Sequence, residues 1–249
     1  MRSTTVAGKQ NHGDLSGFFP DAVSAECRGD GKWATVIRHD ERGDYPASAE
    51  CPHCAREQLA EAILCFTPPR FRAPVEIPAA TAEWASRGRK AQGLYLAGQV
   101  GTGKTHTAWM ALAAWCQATG VRPHGEEPPA VDWGGPAART APNVIFTRLT
   151  DLLDDLRPGD AAVQTIRDCQ RAALLVIDDI GAEKPSEWTQ ERVYSVIDHR
   201  YANCLPLIVT SNLPPSKLAD QIGERAASRL AEMCEVVAMT GTDRRKPGA

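Results

Sequence analysis

The chain has 249 residues, 43% of them hydrophobic and 24% charged, the make-up of an ordinary globular protein with one large domain or one plus a small appendage. That composition excludes wholesale disorder, collagen-like repeats and coiled coil, and without a run of about 18 apolar residues no helix can span a bilayer. A formal net charge of −3 excludes coating of nucleic acid by bulk charge alone, although a local basic patch remains compatible with it.

Residues 1–10 are polar and lack the apolar core of a secretory signal, so a cytoplasmic protein is expected. Residues 1–25 show no apolar periodicity and are expected to be flexible. Residues 26–66 form a cysteine-rich module closing in a short helix over 55–64, with Leu59, Ala62 and Ile63 on one side. Residues 67–78 (TPPRFRAPVEIP) contain four prolines, which do not fit inside a helix. The stretch 67–80 therefore reads as a stiff linker to a second domain, 81–249.

In that domain 93–97 is a short apolar run before a glycine-rich turn. Residues 106–118 are apolar on nearly every face, which predicts a buried helix with Gly120 as its C-cap. Residues 121–142, rich in proline and glycine, read as a long surface loop. A strand follows over 144–147, a helix over 149–156, and a buried strand over 172–177 that runs into Asp178 and Asp179. Ser186 is placed to cap a helix carrying Val193, Val196, Ile197 and Tyr201. Residues 205–209 and 235–239 supply the last strands. Strands alternating with helices predict an α/β fold, a mostly parallel sheet with helices on both faces.

The most informative segment is Gly98-Gln99-Val100-Gly101-Thr102-Gly103-Lys104-Thr105, followed by His106. It satisfies G-x-x-x-x-G-K-[ST] between a strand and a helix, the signature of a phosphate-binding loop. Glycines let backbone N–H groups turn onto phosphate oxygens, and the helix N-terminus adds its positive end. Lys104 is placed to reach the β- and γ-phosphates of ATP, and the Thr105 hydroxyl to ligate Mg²⁺. The run Leu174-Leu175-Val176-Ile177-Asp178-Asp179 puts two carboxylates at the end of a buried strand. Asp178 would hold Mg²⁺ through its water shell and Asp179 would orient the attacking water. Many related ATPases carry Glu at the second position; the shorter Asp predicts slow hydrolysis.

Eight cysteines are present, and in a reducing compartment they are not expected to form structural disulfides. Cys51-Pro52-His53-Cys54 is a C-x-x-C knuckle, half of a zinc site, with Cys27 as its natural third ligand. A module of about 40 residues buries little core, so a metal would supply folding energy. The alternative is a decayed site of free thiols. The remaining C-terminal cysteines read as small core hydrophobes.

The segments GQVGTGKT, LLVIDDIGAEKPSEW, LIVTSNL and GERAASRL together resemble the AAA+ helicase loaders of bacteria and their phages, the DnaC/DnaI-like group, and the neighbouring IstB-like ATPases of insertion-sequence transposition. The resemblance covers roughly residues 66–245. It implies that Asn212 is the sensor-1 residue and Arg229 an arginine finger acting on a neighbouring subunit's ATP, with Arg225 the weaker candidate. It likewise implies that Arg245 is the sensor-2 arginine, with Arg244 its rival, and that the lid is truncated or absent. Single-stranded DNA would be bound by residues 148–171, through Arg148, Arg157, Arg167 and Arg171, where no aromatic platform is evident. Some similar phage loaders carry a histidine where Asp30 stands here, which leaves the fourth zinc ligand open between Asp30, His39 and Cys65. By the same resemblance the N-terminal module binds the helicase. The function implied is ATP-dependent loading of a hexameric replicative helicase onto single-stranded DNA by a transient ATP-dependent homo-oligomer. The rival is a transposition helper acting on duplex DNA and a transposase. Readings from other classes are a P-loop small-molecule kinase and a non-catalytic zinc adaptor.

Overall fold

A computed structural model describes residues 12–30, 32–124, 143–157, 160–181 and 187–241. The chain divides into two compact units between Glu61 and Ala62.

The first unit is a three-stranded antiparallel meander of β1 (Ala22–Cys27), β2 (Trp33–Asp40) and β3 (Gly43–Glu50), followed by the start of helix α1 (Pro52–Phe66). Proline at the first position of α1 costs nothing, because that N–H has no partner inside the helix. Along β2, Ala34 and Val36 are buried while their neighbours are not, the two-residue period of a sheet with one covered face. These residues meet Leu15, Ala25, Cys27, Cys51 and Cys54 in a small core. Part of the stretch expected to be flexible therefore belongs to this unit. Leu15 is buried and its N–H donates to Ala25 O at 2.6 Å, and Asp14 bridges to Glu26. Backbone pairing rather than an amphipathic pattern holds these residues, so periodicity carried no trace of them.

The second unit contains α2 (Ala79–Ser86), β4 (Gly93–Gly98), α3 (Lys104–Thr119), β5 (Val144–Arg148), α4 (Leu149–Asp155), α5 (Asp160–Arg171), β6 (Leu174–Ile180), α6 (Glu187–Ala202), β7 (Leu207–Ser211), α7 (Ala219–Ile222), α8 (Glu224–Met233) and β8 (Cys234–Met239). The strands form one parallel sheet in the order β5-β6-β7-β4-β8. This order sets the C-terminal ends of β4, β7 and β6 side by side, the place where open α/β sheets bind ligands. Gly120 caps α3 in the left-handed conformation, φ +71°, with its N–H on Cys116 O. Ser186, proposed as a cap, lies outside the described residues.

The proline-rich segment packs within this unit. Phe71 stacks on Trp109, which lies flat against Phe146 at 3.8 Å between ring centroids. Helix α5 has few apolar residues, and its C-terminus is held by an unexpected group. Arg200 of α6 is 0% exposed. Its guanidinium donates to Cys169 O at 2.8 Å, to Ala172 O at 2.9 Å and to Pro206 O. A cation there satisfies carbonyls that the helix end leaves open and complements the negative end of its dipole. Among the described residues no helix is long and apolar enough to cross a membrane.

Candidate functional site

The loop from Gly98 to Gly103 joins β4 to α3. Gly101 and Gly103 have φ of +87° and +92°, a region that side chains disfavour. Gly98 is required for a different reason: a Cβ there would lie 2.4 Å from Met239 O on β8. The Thr102 hydroxyl ties the loop to itself by donating to Gln99 O at 2.9 Å, and Val100 stands exposed at its tip. Lys104 is 8% exposed. Its ammonium donates to Gly98 O, Gln99 O and Asn212 Oδ1, each at 2.8 Å. The charge is thus held at the mouth of the loop by neutral oxygens, beside the amides of the α3 N-terminus. Phosphate oxygens are stronger acceptors for the same donors.

Asp178 closes the site from β6 and is 4% exposed. Thr105 Oγ1 lies 3.1 and 3.0 Å from its two oxygens, and Thr210 Oγ1 donates to Oδ1 at 2.7 Å. Burial raises this carboxyl above its ordinary range against the lowering effect of the two hydroxyls, and neighbouring Asp179 adds to the rise. A buried carboxylate beside a hydroxyl is the hard-oxygen donor set that Mg²⁺ prefers. The pairing of β6 with β7 breaks between Ile177 and Ile180, and in that bulge Asp179 takes φ +60°. Its N–H donates to Thr210 Oγ1 at 2.9 Å, and Asn212 Nδ2 donates to its Oδ1 at 3.3 Å. Lys104, Asn212 and Asp179 therefore form one polar line, and Thr105, Asp178 and Thr210 a second. Thr210 was not singled out from sequence. Its signal is its place two residues before Asn212 in LIVTSNL, on the strand beside the acids.

The other candidates lie apart from this line. His106 Nε2 sits 2.8 Å from Ala73 O and its ring is edge-on to Phe71; it contacts the proline-rich segment. Arg229 of α8 donates from Nε to Asp198 Oδ1 at 3.1 Å, and its guanidinium lies 4.4 Å from the Tyr201 ring centre, both on α6. Arg225 shares that face of α8, over the Tyr194 ring at 4.0 Å, and the Tyr194 hydroxyl in turn donates to Asp198. Arg148 pairs in register with Asp178 and is exposed, as are Arg157, Arg167 and Arg171. Arg157 is engaged with Asp154 at 2.8 Å. Arg244 and Arg245 lie outside the described residues.

In the first unit the sulfurs of Cys27, Cys51 and Cys54 lie within 4.8 Å of one another, all buried. They come from the end of β1, the β3–α1 junction and the first turn of α1. Cys27 Sγ and Cys54 Sγ are 3.8 Å apart, the separation of about 3.8 Å that two sulfurs about 2.3 Å from a tetrahedral zinc adopt. Burial, together with the other two sulfurs, pushes the Cys54 thiol up to about 12, whereas a bound cation favours the thiolate. The donor set therefore fits a metal. Asp30 does not join it: its Oδ1 accepts the N–H groups of Lys32 and Trp33 at 2.8 and 2.7 Å, fixing the β1–β2 turn. His39 pairs with Asp44 at 2.7 Å and Cys65 is exposed. Cys116, Cys169 and Cys234 are buried, each thiol pushed up to about 12 by burial, while Cys204 is exposed.

The profile of the IstB-like ATP binding proteins matches residues 117–247, just over half of the chain. The chain belongs to the IstB-like family. It is 25% identical over 257 positions to a Mycobacterium tuberculosis protein described as ATP-binding in an insertion sequence, covering 94% of this chain and 92% of that one. It is 31% identical over 90 residues to the phage-like element PBSX protein XkdC of Bacillus subtilis, covering 34% of this chain. That match spans only 32% of XkdC. Among solved structures, the DnaC helicase loader superposes with a TM-score of 0.52 at 23% identity, over 70% of this chain and all of that one. At this identity the likeness is one of fold. The second unit of this IstB-like chain carries the family's ATP-binding profile on a fold shared with the DnaC loader.

Proposed function

We propose that this IstB-like ATPase loads a replicative helicase onto single-stranded DNA, with ATP binding and hydrolysis as the switch of a transient oligomer. The supporting observation is the compact N-terminal unit built around three buried thiols, a unit additional to the ATPase one that a protein partner could bind. The loop from Gly98 to Thr105 cradles the phosphates, and Lys104 exchanges Asn212 and the loop carbonyls for the β- and γ-phosphates. Thr105 and Asp178 hold Mg²⁺, which when bound neutralises charge developing between those phosphates. Asp179 orients the attacking water, and Asn212, released from Lys104, reports the γ-phosphate to β7. Arg229 reaches a neighbouring subunit's ATP, and Arg245 completes the sensor set from the tail. Zinc held by Cys27, Cys51 and Cys54 stabilises the N-terminal unit.

The end-to-end similarity to the insertion-sequence protein favours a second reading, a helper ATPase acting on duplex DNA and a transposase. Size-exclusion chromatography with light scattering separates the two. A discrete complex with the host's hexameric helicase in MgATP, lost on deleting residues 1–61, supports the loader. No complex in any nucleotide state overturns it and makes transposase and duplex DNA the partners to test.

A further inference from the structure

Three thiolates leave one corner of a zinc tetrahedron to fill, and none of Asp30, His39 and Cys65 joins their cluster. The segment expected to be flexible comes up to one of its members, Cys54. Asp14 bridges to Glu26, and Cys27 N–H donates to Gly13 O at 3.1 Å. This pairing runs residues 12–15 alongside β1 and sets His12 at the end where Cys27 lies. The His12 imidazole is only 15% exposed and stacks on His53 with ring centres 5.0 Å apart. Its ligand atom, Cys54 Sγ and a Glu57 carboxylate oxygen all fall within 4.8 Å of one another, a group that shares Cys54 with the three-thiol cluster, so a rotation of the ring would bring it in as the fourth donor. His12 Nε2 lies 3.2 Å from Glu57 Oε2. Metal-bound imidazoles characteristically donate their second ring N–H to a carboxylate, which fixes the tautomer and aims the ring. With Nε2 engaged by Glu57, Nδ1 is the nitrogen available to a metal.

We infer that His12 is the fourth ligand of a Cys₃His zinc site completed by Cys27, Cys51 and Cys54, and that Glu57 orients its ring. The histidine that the C-x-x-C pattern lacks near Cys27 is supplied from the N-terminal side of the sheet. This inference rests on reading the three thiols as a zinc site.

The test uses the full-length chain, with zinc content measured by mass spectrometry and zinc release followed with a chromogenic chelator. The wild type is expected to carry one zinc per chain. His12→Ala is expected to release it about tenfold faster or more, and Glu57→Gln a few-fold faster. Asp30→Asn, which keeps the turn's acceptor oxygen, and His39→Ala are expected to match the wild type. Should His12→Ala fail to fold, His12→Cys is expected to restore zinc binding, and its cobalt(II) form should show the spectrum of an all-sulfur tetrahedral site. A wild-type chain that takes up neither zinc nor cobalt(II) overturns the zinc reading itself. A wild type that holds zinc, with His12→Ala unchanged in zinc release and in cobalt(II) spectrum, overturns the assignment of His12 and leaves the three-thiol reading intact.

Discussion

Asp178 is held in a position that costs the fold and serves the site. Its carboxyl is buried and raised above its ordinary value. In the nucleotide-free protein it therefore binds its proton more tightly than the unfolded chain does. Ionisation then favours unfolding: its contribution to stability is fully present below the ordinary carboxylate value and is lost as pH rises through the raised one. Asp178→Asn keeps an oxygen for the Thr105 and Thr210 hydroxyls and removes the buried charge. It is expected to raise the melting temperature of the metal- and nucleotide-free protein at pH 7, by about 2–4 °C for each kcal/mol relieved. The gain should shrink in acid, where the wild-type group is protonated. The same variant should lose Mg²⁺-dependent ATP hydrolysis. An unchanged or lower melting temperature at pH 7, measured by calorimetry in chelator, would contradict this account of the site. The places of Lys104, Thr105, Asp178 and Asp179 were legible at this scale, because the loop motif between a strand and a helix, and a buried strand ending in two acids, bring them to one sheet edge. Thr210 and His12 were not. A hydroxyl inside a strand and a histidine in a polar segment carry no pattern until pairing with a neighbouring strand shows what they face.

Elements whose burial is continuous could be read from the sequence; those held by single polar groups could not. The β4, β6 and β7 strands are apolar runs buried on both faces, and their ends fell within three residues of expectation. Helix α5 has the stripe of an amphipathic helix, with Ala162, Ile166 and Cys169 buried at helical spacing, but the arginines around it point equally to an exposed basic segment; the meander β1–β3 carries little signal because its covered face is built largely of alanine and cysteine. The α5 terminus depends on Arg200, so the element can be tested through that residue. Arg200→Ala takes the guanidinium donor from the carbonyls of Cys169 and Ala172, and leaves Pro206 O with the Leu175 N–H at 3.4 Å. A buried acceptor left unpaired costs about 1–3 kcal/mol, and the Cys169 and Ala172 carbonyls both lose this donor. The midpoint of urea unfolding should fall clearly for Arg200→Ala, with a smaller loss for Arg200→Lys, which keeps the charge but not the fork. Equal midpoints for wild type and Arg200→Ala would show that water replaces the guanidinium at no cost.

At the scale of the whole molecule, the placement of Arg229 decides whether the active unit is one chain or several. Its side chain is tied to Asp198 and Tyr201 on its own α6, while Lys104, Asn212 and the two acids close the nucleotide site without it. An arginine fixed by an ion pair and an aromatic face is pre-aimed, which limits the entropy lost when it meets a phosphate on another copy. In the proposed mechanism each site is complete only at a subunit boundary. Lys104→Ala has no working pocket but presents Arg229, and Arg229→Ala has a working pocket but no finger. Each alone should hydrolyse ATP at least about a hundredfold more slowly than the wild type, since a finger supplied in trans contributes about 10³–10⁵ in rate in other P-loop enzymes. Mixed in equal amounts, they should regain activity above either alone, because the Arg229→Ala pocket then meets the arginine of a Lys104→Ala neighbour. The regained rate should rise with total protein concentration, as a bimolecular assembly requires. Asp198→Ala, which releases the arginine from its α6 partner, should lower the rate while leaving nucleotide affinity unchanged. If the mixture is no more active than its parts, Arg229 does not act across a boundary, and its ion pair with Asp198 serves only to fasten α8 to α6.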